Sequence, residues 1–341
     1  MLAQLNGMYI KTRPAKAVQR LISYALFEGR PLTTKGQWIN PLLFALFRIG
    51  KNIPAVKEVI KPVFIVGTGR SGTTILGAVL SMHRAVGFLN EPKALWHVIY
   101  PEEDVIGNYT AGPALYRLHA DHVAPQTRQT AHRLYSLYLA LTFSQRVVDK
   151  YPELIFRIPF VRSIFPDAKF VFLVRNGWDT CHSIEQWSMR LGVQKRGEVH
   201  DWWGLNRRKW NFMIDQLVNE DEAFHQIKDV IPSFSQHTDM AAVEWVVTMR
   251  EGLRQMKTHG DCIRMLRFED LATNPRRRLQ DLLKFCDLSP DETFFRYAER
   301  TLRPTAPHPQ GELHHAIHPL FEETMRDLGY GQSGIHETHG T

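Results

Sequence analysis

An α/β fold, P-loop-like and three-layered (α/β/α) around a central parallel sheet, is what this 341-residue sequence predicts. Three observations carry that expectation. Short apolar runs rich in β-branched residues alternate with helically spaced segments, the pattern of buried parallel strands covered on both faces. A glycine-rich turn joins the first of these runs to the first helix of the body. With 44% hydrophobic and 23% charged residues, the composition excludes disordered and collagen-like chains and leaves room for a large core.

The first strand reads as Pro62-Val63-Phe64-Ile65-Val66-Gly67, bounded by Pro and Gly. From Thr73 to about Met82, Ile75, Leu76, Val79 and Leu80 fall at helical spacing. Residues 95–150 read as helix and loop with no clear strand. Lys169-Phe170-Val171-Phe172-Leu173-Val174 is a second strand, followed by a helix over Trp178 to Met189. Cys262 to Phe268 is a third. It leads into a helix over 275–286, with Asn274 expected as N-cap and Pro275 at the first helical position. No internal repeat is visible.

Charge divides the chain. Residues 1–61 hold ten Lys or Arg against only Glu28 and Glu58, leaving 32 basic and 33 acidic side chains of the total of 42 and 35 for the rest. The surplus behind the net charge of +7 therefore sits in a basic helical N-terminal extension (1–61), ahead of a catalytic domain (62–330) and a flexible tail (331–341). A charge-balanced body argues against nucleic acid as partner. Residues 1–30 read as one basic amphipathic helix (Val18, Leu21, Ile22, Ala25, Leu26), either packed as a cap or in peripheral contact with a membrane surface. A second helical piece spans 41–49. No apolar run is long enough to cross a membrane, and there is no signal-peptide pattern. Three cysteines without a CxxC pair fit a reduced compartment, so a cytoplasmic protein, peripheral at most, is expected.

Gly67-Thr68-Gly69-Arg70-Ser71-Gly72-Thr73-Thr74 lies between the first strand and its helix. Glycines let the backbone aim its N–H groups inward, and the helix start adds partial positive charge, so the turn is an anion cradle. It matches the G-x-x-x-x-G-K-[ST] spacing except that Thr73 replaces the Lys. The strand 170–174 ends in Arg175 where an ATPase would carry a metal-binding Asp, and a cation stands inside the loop at Arg70. These departures suit a phosphate or sulfate bound without a metal. They weigh against a P-loop nucleotide kinase, while the intact Arg70, Arg175, Ser183 and Glu91 weigh against a non-catalytic nucleotide- or polyanion-binding protein.

Arg70-Ser71-Gly72-Thr73-Thr74 resembles the phosphosulfate loop of the sulfotransferase superfamily, and bacterial and protein-tyrosine-type members in particular. A second match is a strand ending in Arg175 with Ser183 eight residues later. In that family such a pair holds the 3′-phosphate of 3′-phosphoadenosine 5′-phosphosulfate. Lys150-Tyr151-Pro152 resembles the family's Lys-x-Pro element, and Phe268-Glu269-Asp270-Leu271 its Tyr-Glu-Asp-Leu element, with Phe268 lacking the hydroxyl. The resemblance covers about 62–290. The C-terminal Gly-x-x-Gly-x-x-Lys element is not evident around Gly329 to Gly334, which leaves open the residues closing over the 3′-phosphate.

The resemblance implies sulfonate transfer to an acceptor hydroxyl by in-line displacement, without a metal. Gly69, Arg70, Ser71, Gly72, Thr73, Thr74, Arg175, Ser183 and Phe268 would bind the donor; Arg70 and Lys150 would stabilise the transferring group. Glu91, 21 residues past Arg70, stands where protein-tyrosine-type members carry a catalytic Glu, with His97 and His119 as rival bases. The basic N-terminal segment favours a lipid-linked or polysaccharide acceptor. The spaced histidines (His119/His122; His314, His315 and His318) lack further ligands for a metal. Trp202, Trp203 and Trp210, with Arg207, Arg208 and Lys209 between, read as a lid or acceptor-pocket wall, and Arg276-Arg277-Arg278 as a solvated face.

Overall fold

The computed structural model describes residues 2–31, 33, 35–195 and 197–331. Five parallel strands form the central sheet: β1 (Val63–Gly67), β2 (Val86–Asn90), β3 (Arg146–Lys150), β4 (Lys169–Val174) and, last in sequence, β8 (Ile263–Arg267), in the spatial order β2-β3-β1-β4-β8. Strands β5 (Val193–Lys195), β6 (Glu198–Asp201) and β7 (Gly204–Leu205) make a small antiparallel sheet apart from it.

Alternation along each central strand sorts side chains onto two faces. Phe64, Val66, Phe170, Phe172 and Val174 join one core, while Val63, Ile65, Val171 and Leu173 join the other. The first core is covered by α3 (Asn40–Gly50), α5 (Lys93–Ile99), α6 (Pro125–Leu141), α7 (Ile158–Ile164), α8 (Gly177–Leu191), α9 (Arg208–Met213), α10 (His237–His259) and α14 (His318–Asp327). The second is covered by α1 (Gly7–Thr12), α2 (Pro14–Leu26), α4 (Thr73–Ser81), α11 (Phe268–Thr273), α12 (Pro275–Phe285) and α13 (Glu292–Thr301). The three-layer parallel architecture expected from the sequence is the one observed.

Several details differ from the expectation. Residues 95–150 contain β3, and β2 lies just before them. The third strand begins at Ile263 and stops at Arg267, so Phe268 opens α11. Asn274 precedes α12, but its side chain makes no capping bond. Of the expected tail, residues 332–341 lie outside the described residues.

The N-terminal helix departs furthest from its sequence reading. It is two helices, since Pro14 starts α2 after Arg13 has ended α1. The face of α2 that turns inward is polar: Lys16, Ala17, Arg20 and Ser23 are buried, while Val18 and Leu21 are exposed. The reason is the edge of the sheet. β2 is an edge strand, and such an edge presents unpaired backbone groups. Lys16 Nζ donates to the Val86 carbonyl at 2.7 Å, Arg20 donates to the Phe88 carbonyl at 3.3 Å, and Glu28 accepts from the Asn90 N–H at 2.7 Å. Arg20 also lies 5.0 Å from the Phe88 ring and pairs twice with Glu28, at 2.5 and 2.7 Å. Arg13 pairs with Asp291, at 2.7 Å through each nitrogen. Much of the basic surplus of residues 1–30 is thus spent inside the fold, capping a strand.

Candidate active site

The C-terminal ends of all five central strands open on one cleft, the place where open α/β sheets bind ligands. In spatial order they deliver Glu91 just after β2, Lys150 at the end of β3, the glycine turn after β1, Arg175 after β4 and Phe268 after β8. Strands β3 and β4 flank β1, so Lys150 and Arg175 stand on either side of the turn.

The turn runs from Gly67 to the start of α4. Gly67 (φ 136) and Gly72 (φ 95) occupy backbone conformations that an L side chain rarely adopts. A Cβ on Gly72 would overlap the Phe268 ring, and one on Gly69 would overlap the Trp202 indole. Both glycines therefore let an aromatic wall approach the loop backbone. Arg70 also has positive φ (69), which turns its side chain out of the loop toward α8. Ser71 closes the turn by donating to the Thr68 carbonyl at 2.6 Å.

Arg70 Nε donates to Ser183 Oγ at 3.1 Å, and Arg175 donates to the Arg70 carbonyl at 3.4 Å. The two arginines and the serine picked out by spacing therefore meet in one place. Burial, opposed by Glu91 but reinforced by the nearby charges of Arg175 and Arg190, pushes the Arg70 guanidinium below its ordinary value. Arg175 lies 5.1 Å from the Phe268 ring and 3.7 Å from Asp179. Among the described residues, Arg175 Nε and Thr68 Oγ1 are buried without a partner. Orphan donors beside clustered cations are what an anion would satisfy.

On the other side of the loop, Lys150 donates to Glu91 at short range, and Lys93 lies 3.5 Å from the same carboxylate. Glu91 also has positive φ (50). Burial pushes its carboxyl up, but the Lys150 and Lys93 ammoniums outweigh this and hold it down at about 2. The charges continue outward as pairs: Lys93 with Glu153 at 3.6 Å and Lys209 with Glu244 at 2.6 Å. Trp202 Nε1 donates to Glu244 at 2.7 Å, and Lys209 lies 4.6 Å from the Trp202 ring.

Lys93, Glu153, Lys209 and Glu244 line a cavity of about 110 Å³ that also touches Gly67 and Gly69. Glu91, Lys93, Tyr116, Phe156, Trp187 and Trp202 are among its walls. Trp202 is thus a pocket wall, as read from the sequence, whereas Trp203 and Trp210 are core residues. His97 faces a different groove, with Phe44 and Tyr109, and His119 a third, with Arg117 and Glu251. Neither rival base lines the cavity that Glu91 lines. Arg276 and Arg278 pair with Glu292, Glu299 and Asp270, well outside it.

Sequence reading missed Lys93, Glu153 and Glu244, and it set Lys209 in a pocket wall without its partner Glu244, because the pairs Lys93–Glu153 and Lys209–Glu244 are far apart in the chain. It also missed Asp179, which sits one helical turn after Arg175. Asp179 accepts from the His308 N–H at 2.8 Å and contacts His308 Nδ1 at 2.8 Å, bringing the loop before α14 beside the arginine cluster. The i, i+4 spacing of Arg175 and Asp179 was the one available signal.

A family model described as the sulfotransferase family matches residues 62–231, a stretch that contains the glycine turn, Glu91, Lys150, Arg175 and Ser183. Nodulation protein NoeE of Sinorhizobium fredii is 28% identical over 131 residues, 36% of this chain and 30% of its own length. Protein-tyrosine sulfotransferase 1 of Danio rerio is 26% identical over 206 residues, 59% of this chain and 56% of its own. The chain thus spans between 30% and 56% of the length of these curated relatives. A sulfotransferase crystal structure from Mycobacterium tuberculosis H37Rv is 15% identical and aligns with a TM-score of 0.47, covering 86% of this chain and 87% of that one. The family match takes in the loop, the paired arginines and the strand-end residues Glu91 and Lys150, though not Phe268, and the chain belongs to the sulfotransferase family.

Proposed function

We propose that this protein transfers a sulfonate group from 3′-phosphoadenosine 5′-phosphosulfate to a hydroxyl of an acceptor held in the Glu91 cavity. The observation that carries the reading is the meeting of Arg70, Arg175 and Ser183 at one end of a cleft whose other end holds Lys150 and Glu91. The loop N–H groups with Gly69, Ser71, Gly72, Thr73 and Thr74 would cradle the 5′-phosphosulfate. Arg175, with its unpartnered Nε, and Ser183 would hold the 3′-phosphate, and Phe268 would pack beside them. No metal takes part in this scheme.

In the transfer, the acceptor oxygen forms a bond to sulfur as the bridging oxygen between sulfur and the 5′-phosphate departs with its electron pair. The work of the protein is to align the two and to stabilise charge on the leaving and equatorial oxygens. Arg70 and Lys150 are the cations placed for it. Glu91 takes the acceptor proton. A carboxylate held at about 2 is a poor base, so its use depends on Lys150. Donor oxygens compete with Glu91 for the Lys150 ammonium, and as that ammonium turns to them Glu91 regains basicity. Donor binding thereby arms the base.

The acceptor is a hydroxyl compound, for which the sequence favours a lipid-linked or polysaccharide substrate over a small soluble phenol, and the cavity lysines, already matched by carboxylates, favour an uncharged one. The test is thermal unfolding with adenosine 3′,5′-bisphosphate against ATP with Mg²⁺. A ligand at 100 times its dissociation constant adds about 2.7 kcal/mol to the native state. The bisphosphate should raise the midpoint by several degrees with or without Mg²⁺, and ATP–Mg²⁺ should not. Stabilisation by ATP–Mg²⁺ alone would overturn the proposal.

A further inference from the structure

α3 carries apolar residues on two opposite faces. Leu43, Phe47 and Gly50 turn inward, with Phe47 against Phe27 and Gly50 against Leu134 and Leu137. On the other side Leu42 is 65% and Ile49 63% exposed, and Ala45 between them is exposed too. The stripe extends beyond the helix. Trp38, in the 3₁₀ turn Gln37–Ile39, is 81% exposed, Ile53 40% and Val56 70%. Residues 38, 42, 45, 49, 53 and 56 succeed one another at steps of three or four, so within the helix they share one side. Lys57 Nζ donates to the carbonyls of Leu139 and Ser144, at 3.2 Å each, which brings Val56 to the turn bearing Phe143, itself 82% exposed.

A stripe of this size on a water-exposed surface marks an interaction site, and its surroundings say with what. Along the stripe the cations are Lys35, Arg48 and Lys51, since Lys57 is held by two carbonyls, and the first acidic residue after the stripe is Glu58. Apolar residues with a terminal Trp, interspersed with cations and no acid between residues 35 and 57, are the composition of helices that lie in the interface of an anionic bilayer. Pro31 and Thr33, just before this segment, line the mouth of the Glu91 cavity.

We propose that α3 and its flanks, residues 35–57, form a surface that docks on an anionic lipid bilayer. This differs from docking through residues 1–30, where Arg13, Lys16 and Arg20 are committed to internal partners. The inference does not depend on sulfonate transfer, because membrane binding is read without turnover. Its consequence for that reading is that the cavity mouth sits near the bilayer, where a lipid-linked hydroxyl would enter.

The experiment is flotation of the full chain with phosphatidylcholine vesicles, with and without phosphatidylglycerol. Binding should require phosphatidylglycerol and weaken with salt. The double variant Leu42→Glu/Ile49→Glu should lose tenfold or more in partitioning while keeping its thermal midpoint, since neither side chain faces the core. Arg48→Gln should cost roughly fivefold. The control Val18→Glu/Leu21→Glu, on the exposed side of α2, should bind as the parent does. Three results would overturn the proposal. They are no binding to the anionic vesicles, loss of binding in the α2 control with retention in the α3 variant, and a dimer in light scattering that the α3 variant converts to monomer.

Discussion

Asp149 stands one residue before Lys150 on β3, and its carboxyl lies on the sheet face away from α4, fully buried between α5 and α6. It accepts from Tyr135 Oη at 2.5 Å and from Trp96 Nε1 at 2.9 Å. Burial pushes the carboxyl up from 3.8 to about 7, against those two hydrogen bonds, which pull it down. Between these values the folded chain holds a proton that the unfolded chain has released. Stability from this group is therefore complete below about pH 3.8 and is lost as pH rises through about 7. From pH 5.5 to pH 8 the loss is about one and a half pH units' worth, roughly 2 kcal/mol. Asp149→Asn keeps the shape and an acceptor for both donors but has nothing to ionise. Urea unfolding of both proteins at several pH values should show the variant gaining roughly 2 kcal/mol over the parent across that range. Glu103, also pushed by burial to about 7, is present in both proteins and cancels from the difference. A difference that stays flat within about 0.5 kcal/mol would refute the claim that Asp149 is neutral in the folded state. Transfer activity should survive, since the Lys150 backbone on β3 is untouched.

Glu91→Gln should lower turnover by roughly 100-fold or more, with affinity for adenosine 3′,5′-bisphosphate nearly unchanged. Near-full turnover, measured with the wild-type acceptor, would remove Glu91 as the base. Arg175→Ala should weaken the same bisphosphate by roughly 10- to 100-fold, the loss of a charged hydrogen-bonded contact, as read by calorimetry. Unchanged affinity would detach Arg175 from the nucleotide. Arg20→Met strips the partner from a buried carboxylate, the side chains of Arg20 and Glu28 being 2% and 5% exposed, and should cost about 3–5 kcal/mol in denaturant unfolding. A cost below about 1 kcal/mol would mean that Glu28 escapes to water, and that α2 is not fastened to the sheet edge as described.

The core of the site was legible because its chemistry is local. The Gly67–Thr74 turn, the Arg175/Ser183 spacing and strands β1 and β4 each fit within about ten residues, the range over which sequence periodicity and motif spacing hold information. β3 was not legible, since Arg146-Val147-Val148-Asp149-Lys150 has only two apolar residues and its burial is imposed by the neighbours β2 and β1. The face of α2 misled for a related reason. Amphipathicity assigns the apolar side to the core, but Lys16 and Arg20 pair with the backbone of an edge strand some 70 residues away. Only the fold reveals that a hydrogen-bonding surface was waiting there. The same holds for Lys93 with Glu153 and Lys209 with Glu244, each pair joined across a long stretch of chain.

Charge is distributed unequally between the two halves of the cleft, and the inequality matters for how the halves cooperate. At the arginine end, Arg70, Arg175 and Arg190 stand close together, and the neighbouring carboxylate, Asp179, is 3.7 Å from Arg175 and shared with His308. Glu91 offsets part of the repulsion at Arg70, and a bound anion would offset more. At the cavity end, Lys150, Lys93 and Lys209 each have a carboxylate at hand in Glu91, Glu153 and Glu244. Their charges cancel locally and offer little to a second anion. On the proposed function a highly charged donor would be drawn to the first half and an uncharged hydroxyl tolerated in the second. In the proposed transfer Lys150 would link them, since it ends β3 beside the loop and pairs with Glu91. On the proposed mechanism an anion settling on the loop would change the cavity through that one ammonium, and donor binding would precede proton removal.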